Sequence, residues 1–220
     1  MSDPVGLHKG PMTITDAINK FVGYGDIPAE LASKIAKNLE SKFGSNIGQY
    51  LGAGGKGFAW KWGHNWVFKL TTDEQEASAA SILLGKKHPH VGQYRNVANI
   101  DGTKLYAIIQ EYAGEPIKDV DIQKAINLMP GSSDAIINTL KELTETSSFP
   151  LWPQLLSAIQ WLKHNGINHF DLHSDNVVQR GEVFKVIDVG IGDVEPMHLG
   201  RIKLEQRLAI AFSNIETITI

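Results

Sequence analysis

Apolar residues recur at helical spacing in the opening part of the chain. After an irregular lead-in marked by Pro4, Gly6, Gly10 and Pro11, a first helix places Ile14, Ile18, Phe21 and Val22 on one face. A second begins near Asp26 and Pro28 and carries Leu31, Ile35 and Leu39 towards Gly44. Proline at the start costs no hydrogen bond, because a first-turn N–H has no partner in the helix, and glycine suits the end because it tolerates left-handed backbone. From residue 47 to residue 70 the pattern changes to glycine, aromatic and β-branched residues. That texture predicts two strands joined by a turn at Gly63-His64-Asn65.

Helical spacing returns over residues 73–84, and residues 97–100 and 104–110 then read as a hairpin turning at Asp101-Gly102. Beyond Tyr112 helices dominate, over 119–129 and 133–144 with Pro130-Gly131 between them, and over 151–164 with Leu151, Leu155, Ile159 and Leu162 in one stripe. Gly166 is placed to end that last helix. Val177-Val178 and residues 183–187 flank Gln179-Arg180-Gly181-Glu182 as a small hairpin, and Leu204, Leu208, Ala211, Phe212 and Ile215 predict a closing helix. The pattern as a whole is a strand-rich unit followed by a helix-rich one.

Composition narrows what such a chain does. At 220 residues and 42% hydrophobic it can bury a core without covalent staples. It has no cysteine, which excludes disulfides and thiolate metal sites and suits a reducing cytosol. Residues 1–20 lack a basic stretch leading into an apolar core, and no apolar run approaches the ~20 residues of a membrane span. The expectation is a soluble, cytoplasmic protein with no membrane partner. Net charge is −3 with Lys and Arg dispersed, so the electrostatic footprint of a nucleic-acid ligand is missing.

Four stretches carry candidate chemistry. Gly52-Ala53-Gly54-Gly55-Lys56-Gly57 has the spacing G-x-G-x-x-G, in which glycines let the backbone approach phosphate oxygens closely. It is followed by a strand and not by a helix, which argues against a dinucleotide fold. Lys69 sits inside the apolar strand Val67-Phe68-Lys69-Leu70, where an ammonium needs a partner or a route outwards. Glu74 and Glu76 both offer a carboxylate from the next helix, with Glu76 preferred. The remaining two are His169-Phe170-Asp171-Leu172-His173-Ser174-Asp175-Asn176 and Asp188-Val189-Gly190. His88-Pro89-His90 lacks a third ligand and reads as a loop, not a zinc site. Trp60, Trp62 and Trp66 read as strand packing.

Taken together, these motifs resemble the protein kinase superfamily, whose catalytic loop reads H-x-D-L-x-x-x-N and whose metal loop reads D-F-G. The order of glycine loop, strand lysine, helix glutamate, hinge, catalytic loop and metal loop is also the kinase order. The resemblance covers residues 47–192. It implies an α+β, bilobal protein kinase-like fold with a small antiparallel β-sheet N-lobe and a truncated, mainly helical C-lobe. The boundaries expected are a helical extension over 1–46, the N-lobe over 47–112 and the reduced C-lobe over 113–220.

For function, the resemblance implies an ATP- and Mg²⁺-dependent kinase acting on serine or threonine hydroxyls of proteins. Gly52, Gly54, Gly55 and Gly57 would cover the phosphates and Lys69, held by Glu76, would bind the α- and β-phosphates. Asp171 would orient the acceptor hydroxyl, and Asn176 and Asp188 would hold Mg²⁺. Glu111 and Ala113 fall where the hinge meets adenine, and Gln110 at the position that sets pocket depth. His169 would support its loop by packing and hydrogen bonding. His173 stands where protein kinases usually have a lysine, a feature shared with aminoglycoside phosphotransferases, and no A-P-E element follows Gly190. The truncated layout looks like the minimal kinases of some bacteriophages and bacterial effectors, implying acceptors among bacterial or host proteins and work in bacterial cytoplasm. A small-molecule kinase and a nucleotide-binding module without turnover are the alternatives.

Overall fold

The computed structural model describes residues 12–129, 132–168 and 172–190, together with the backbone of a strand at Glu216–Ile218. Two helices open it, α1 (Ile14–Tyr24) and α2 (Ala29–Phe43). Thr13 and Asp16 form a reciprocal capping box at the start of α1, and Gly25 ends it at φ 81°. Gly44, by contrast, keeps right-handed helical backbone and leads into a short 3₁₀ turn, so it does not act as the left-handed terminator its position suggests.

Three strands follow where two are expected: β1 (Ile47–Gly54), β2 (Gly57–Trp62) and β3 (Trp66–Thr71). The additional break lies at Gly55-Lys56, because the chain reverses tightly there as well as at Gly63. After α3 (Glu74–Leu83) come β4 (Tyr94–Ile100) and β5 (Tyr106–Glu111). The sheet order is β1-β2-β3-β5-β4-β9, where β9 (Glu216–Ile218) runs parallel to β4 and the other neighbours are antiparallel. The closing helix expected over 201–215 lies outside the described residues. At Glu216–Ile218 the chain is a strand, consistent with the β-branched run Thr217-Ile218-Thr219-Ile220.

Strand alternation decides what each face of this sheet meets. Phe58, Trp60, Phe68, Leu70, Ala107 and Ile109 point to one side and are buried against Ile14, Ile18, Phe21, Ile35 and Leu39 of the helix pair. The indole N–H of Trp60 donates to the carbonyl of Met12 at 2.6 Å, and that of Trp62 to the carbonyl of Phe43 at 3.2 Å. On the other side, Val67, Lys69, Ile108 and Gln110 face α3 and the helical half. Helix α3 is buried nearly all round, and its Ala77, Ala79 and Ala80 let it wedge closely against the sheet.

A crossing that contains the two-residue strand β6 (Glu115–Pro116) leads into α4 (Val120–Asn127), α5 (Ser133–Thr146) and α6 (Leu151–His164), and then into the hairpin β7 (Val177–Arg180) and β8 (Val183–Val186). Strands β6, β7 and β8 form a second small sheet. Gly166 ends the turn after α6 at φ 81°. The loop containing His88-Pro89-His90 clamps the two halves. The Val186 N–H donates to the His90 carbonyl at 3.0 Å, the His90 ring bonds the Phe184 carbonyl at 3.1 Å, and His88 stacks on Trp161 while bonding Ser157. No helix among the described residues is long and apolar enough to cross a membrane.

Candidate active site

A cavity of about 1020 Å³ opens between the two halves. Its roof is the β1–β2 turn with Gly52, Gly54, Gly55 and Gly57, its back wall carries Lys69, Glu76 and Gln110, and its mouth passes Glu111 and Ala113. His173, Asn176 and Asp188 form its floor. Gly57 is required by close approach: a Cβ there would lie 2.5 Å from the Leu70 carbonyl oxygen, so only glycine seats the turn on β3.

Lys69 occupies the centre. In register opposite Ala59 on β2 and Ile108 on β5, it points away from the helix pair and into the cavity. Its Nζ lies 2.7 Å from Glu76 Oε1 and 3.1 Å from Asp188 Oδ2. Burial opposes the ammonium, but these two carboxylates outweigh it and hold the Lys69 pKa above its ordinary value. Burial pushes Glu76 up to about 7, against the pull of Lys69 and with the help of Asp188. Glu76 is positioned because Asp73 caps α3, its Oδ1 accepting the N–H groups of Gln75 and Glu76. Glu74, the other candidate partner, is exposed and does not line the cavity.

Asp188 is the one non-glycine residue with positive φ among those described, at 52°. Its carboxylate is held from both sides, Oδ2 by Lys69 and Oδ1 by Gln110 Nε2 at 3.2 Å. The next residue, Val189, donates its N–H to the hydroxyl of Tyr94, a side chain buried beneath the sheet. Burial and the nearby charges of Asp188 and Glu76 raise the Tyr94 pKa, so the phenol stays neutral and accepts that bond.

The segment expected to form the catalytic loop is described from Leu172 onwards; His169 and Asp171 lie outside the described residues. Ser174 is gripped by Asn127 of α4, which accepts the Ser174 N–H at 2.8 Å and donates to its hydroxyl at 3.3 Å. The carbonyl of Asn176 accepts the Ile187 N–H at 2.9 Å, placing the Asn176 and Asp188 turns side by side. Sequence reading missed Tyr94, Asn127 and the Lys185–Glu111 ion pair at 2.7 Å. Nothing local in their surroundings marks them, because each acts on a partner distant in the chain.

No protein-family model matches the chain. Among curated proteins it is 28% identical over 138 residues to CBL-interacting protein kinase 1 of Oryza sativa subsp. japonica, an alignment covering 62% of this chain and 26% of the relative. It is 30% identical over 119 residues to sperm motility kinase Tcr mutant form of Mus musculus, covering 54% of this chain and 21% of the relative. The fold is protein kinase-like. The chain aligns with about a quarter of the length of these curated kinases. Among solved structures, Rad53 1–466 in complex with AMP-PNP superposes with a TM-score of 0.46 at 16% identity, covering 83% of this chain and 50% of that one.

Proposed function

We propose that the chain is an ATP- and Mg²⁺-dependent protein kinase that transfers the γ-phosphoryl group to serine or threonine hydroxyls. The observation that carries this reading is Lys69 bridging Glu76 at 2.7 Å and Asp188 at 3.1 Å beneath a glycine turn. Such an array fixes an ammonium and a carboxylate where a triphosphate and its metal would sit, and positioning with electrostatic stabilisation is most of what phosphoryl transfer asks of a protein.

Lys69 would bind the α- and β-phosphates. Backbone at Gly52, Gly54, Gly55 and Gly57 would cover them, and the main chain at Glu111 and Ala113 would meet adenine. Asp171 would orient the attacking hydroxyl and take its proton, and His173 would donate a hydrogen bond towards the transferring group. The donor set suits magnesium: Asn176 and Asp188 offer oxygen atoms on adjacent turns, and two protein oxygens leave room for phosphates and waters. When bound, the metal offsets phosphate charge and aligns the leaving group. The motif wording of residues 170–176, similar to that of short phage kinases, supports bacterial or host proteins as acceptors and bacterial cytoplasm as the place of work. Boundaries at 46/47 and 112/113 belong to the same reading.

Incubating the full chain with γ-labelled ATP, Mg²⁺ and a bacterial lysate should label discrete proteins. Lys69→Met and Asp171→Ala should abolish labelling; equal labelling by Asp171→Ala overturns the proposal. His173, where protein kinases usually have lysine, favours a second reading, a small-molecule kinase. ATP consumption that needs an added aminoglycoside or metabolite, with no protein labelled, would establish it.

A further inference from the structure

The cavity holds more negative than positive charge. Asp73, Glu76, Glu111, Glu115, Asp175 and Asp188 line it, against Lys56 and Lys69. Lys69 is already committed to Glu76 and Asp188, and Lys185 to Glu111. In the reading above Lys69 and the metal serve the phosphates they touch, and at the terminal phosphate the catalytic loop offers His173 in place of a lysine, so a further cation there would add to the binding of a triphosphate.

Lys56 is built to supply it. It sits between Gly55 and Gly57 at the tip of the β1–β2 turn, and its side chain is 62% exposed. The turn itself is fixed, because the Thr72 N–H donates to the Lys56 carbonyl at 2.9 Å and Gly57 sits tight against β3. Only the side chain is left to move. Its Nζ rests 3.0 Å from Asp73 Oδ2, in a partly exposed ion pair of the weak kind. Asp73 does not need that pair, since its Oδ1 is engaged in capping α3.

We propose that Lys56 is a phosphate-binding residue that exchanges Asp73 for the terminal phosphate when a nucleoside triphosphate binds. A charge-assisted bond to a phosphate oxygen outcompetes the exposed pair to a carboxylate, so the exchange is downhill. Asp73 becomes a resting place for the cation, and the glycine turn a positively charged flap. This inference rests on the ATP-binding reading above and adds selectivity for triphosphate over diphosphate.

Calorimetric titration of the full chain with Mg-ATP and Mg-ADP tests it. Lys56→Met should weaken ATP binding at least about tenfold, the scale of one charged hydrogen bond, and change ADP binding less than about twofold; Lys56→Arg should restore ATP binding. Asp73→Asn keeps a competent helix cap and frees Lys56, so ATP should bind severalfold more tightly. That gain should vanish in the double variant Asp73→Asn, Lys56→Met. Equal loss of ATP and ADP on Lys56→Met, or a gain from Asp73→Asn that persists without Lys56, overturns the role of Lys56 alone. Failure of the folded wild-type chain to bind either nucleotide overturns the ATP reading and this inference with it.

Discussion

Asp188 carries an uncommon burden for one residue. Its backbone is held at φ 52°, a conformation that costs a non-glycine residue about 1–3 kcal/mol, and both carboxylate oxygens are spoken for. The Gln110 amide is the part of that arrangement that can be removed cleanly. Gln110→Leu keeps the side-chain volume, leaves Asp188 Oδ1 without this donor, and should cost about 1 kcal/mol of stability by chemical denaturation. In the proposed enzyme it should also raise the Mg²⁺ concentration needed for half-maximal nucleotide binding. An unchanged magnesium dependence would assign Gln110 to packing only.

Glu76 supplies a second test, through pH. Burial raises its pKa from the ordinary 4.5 to about 7, so the folded protein holds this proton more tightly than the unfolded chain does. Between pH 4.5 and 7 the Glu76 contribution therefore destabilises the fold as pH rises and stabilises it as pH falls. Activity should move the other way, because protonated Glu76 no longer pairs with the Lys69 ammonium. Melting temperature and phosphoryl transfer recorded from pH 5 to 8 should diverge, and Glu76→Gln should flatten the opposition between them. The convergence of Lys69 and Glu76 was readable in the sequence, because a lysine in an apolar strand demands a carboxylate and a capped helix delivers one nearby. The Gln110–Asp188 bond was not, since it joins positions 78 apart through a side-chain choice that no local pattern records.

Among the elements, the helix pair α1 and α2 packs on the sheet through Ile14, Ile18, Phe21, Ile35 and Leu39. It covers a sheet face that holds Phe58, Trp60, Phe68 and Leu70, all buried. Phe21 meets Phe58 edge to face at 5.2 Å and is 1% exposed. Phe21→Ala should cost about 3–5 kcal/mol in urea or guanidinium unfolding, the usual loss for a fully buried aromatic. A cost under about 1 kcal/mol would mean that the helices ride on the sheet without being part of its core. The helices were legible because their apolar residues recur at 3.6-residue spacing. The glycine stretch was legible as a break ahead of a strand, but the residues at which β1 ends and β2 begins were not, because glycine supplies no inward or outward preference with which to mark a strand's end. Strand β9 escaped for a different reason: a short β-branched run says nothing about which edge it will join.

For the whole molecule, the question is how two halves that share a cavity keep their spacing. The chain crosses between them at Gly114, whose φ is 145° and whose absent Cβ leaves room for the Gln179 carbonyl; an added Cβ would lie 2.4 Å from that oxygen. Beside it, Lys185 of β8 binds Glu111 at the end of β5, with both side chains mostly buried. The crossing is thus pressed onto β7 by close packing and tied to β8 by charge. Gly114→Ala must push the crossing off β7 or strain its backbone, and either response displaces Glu111 and Ala113 at the cavity mouth. The expected result is a loss of about 2–4 kcal/mol in stability, the sum of a steric clash and an unfavourable φ. Nucleotide affinity should fall alongside it, with the protein still folded at low temperature. Lys185→Met separates the two effects: it removes the charged tie, leaves the packing at Gly114 intact, and should lower stability while sparing nucleotide affinity if close packing sets the cavity width. Equal loss of affinity in both variants would shift that role to the Lys185–Glu111 pair.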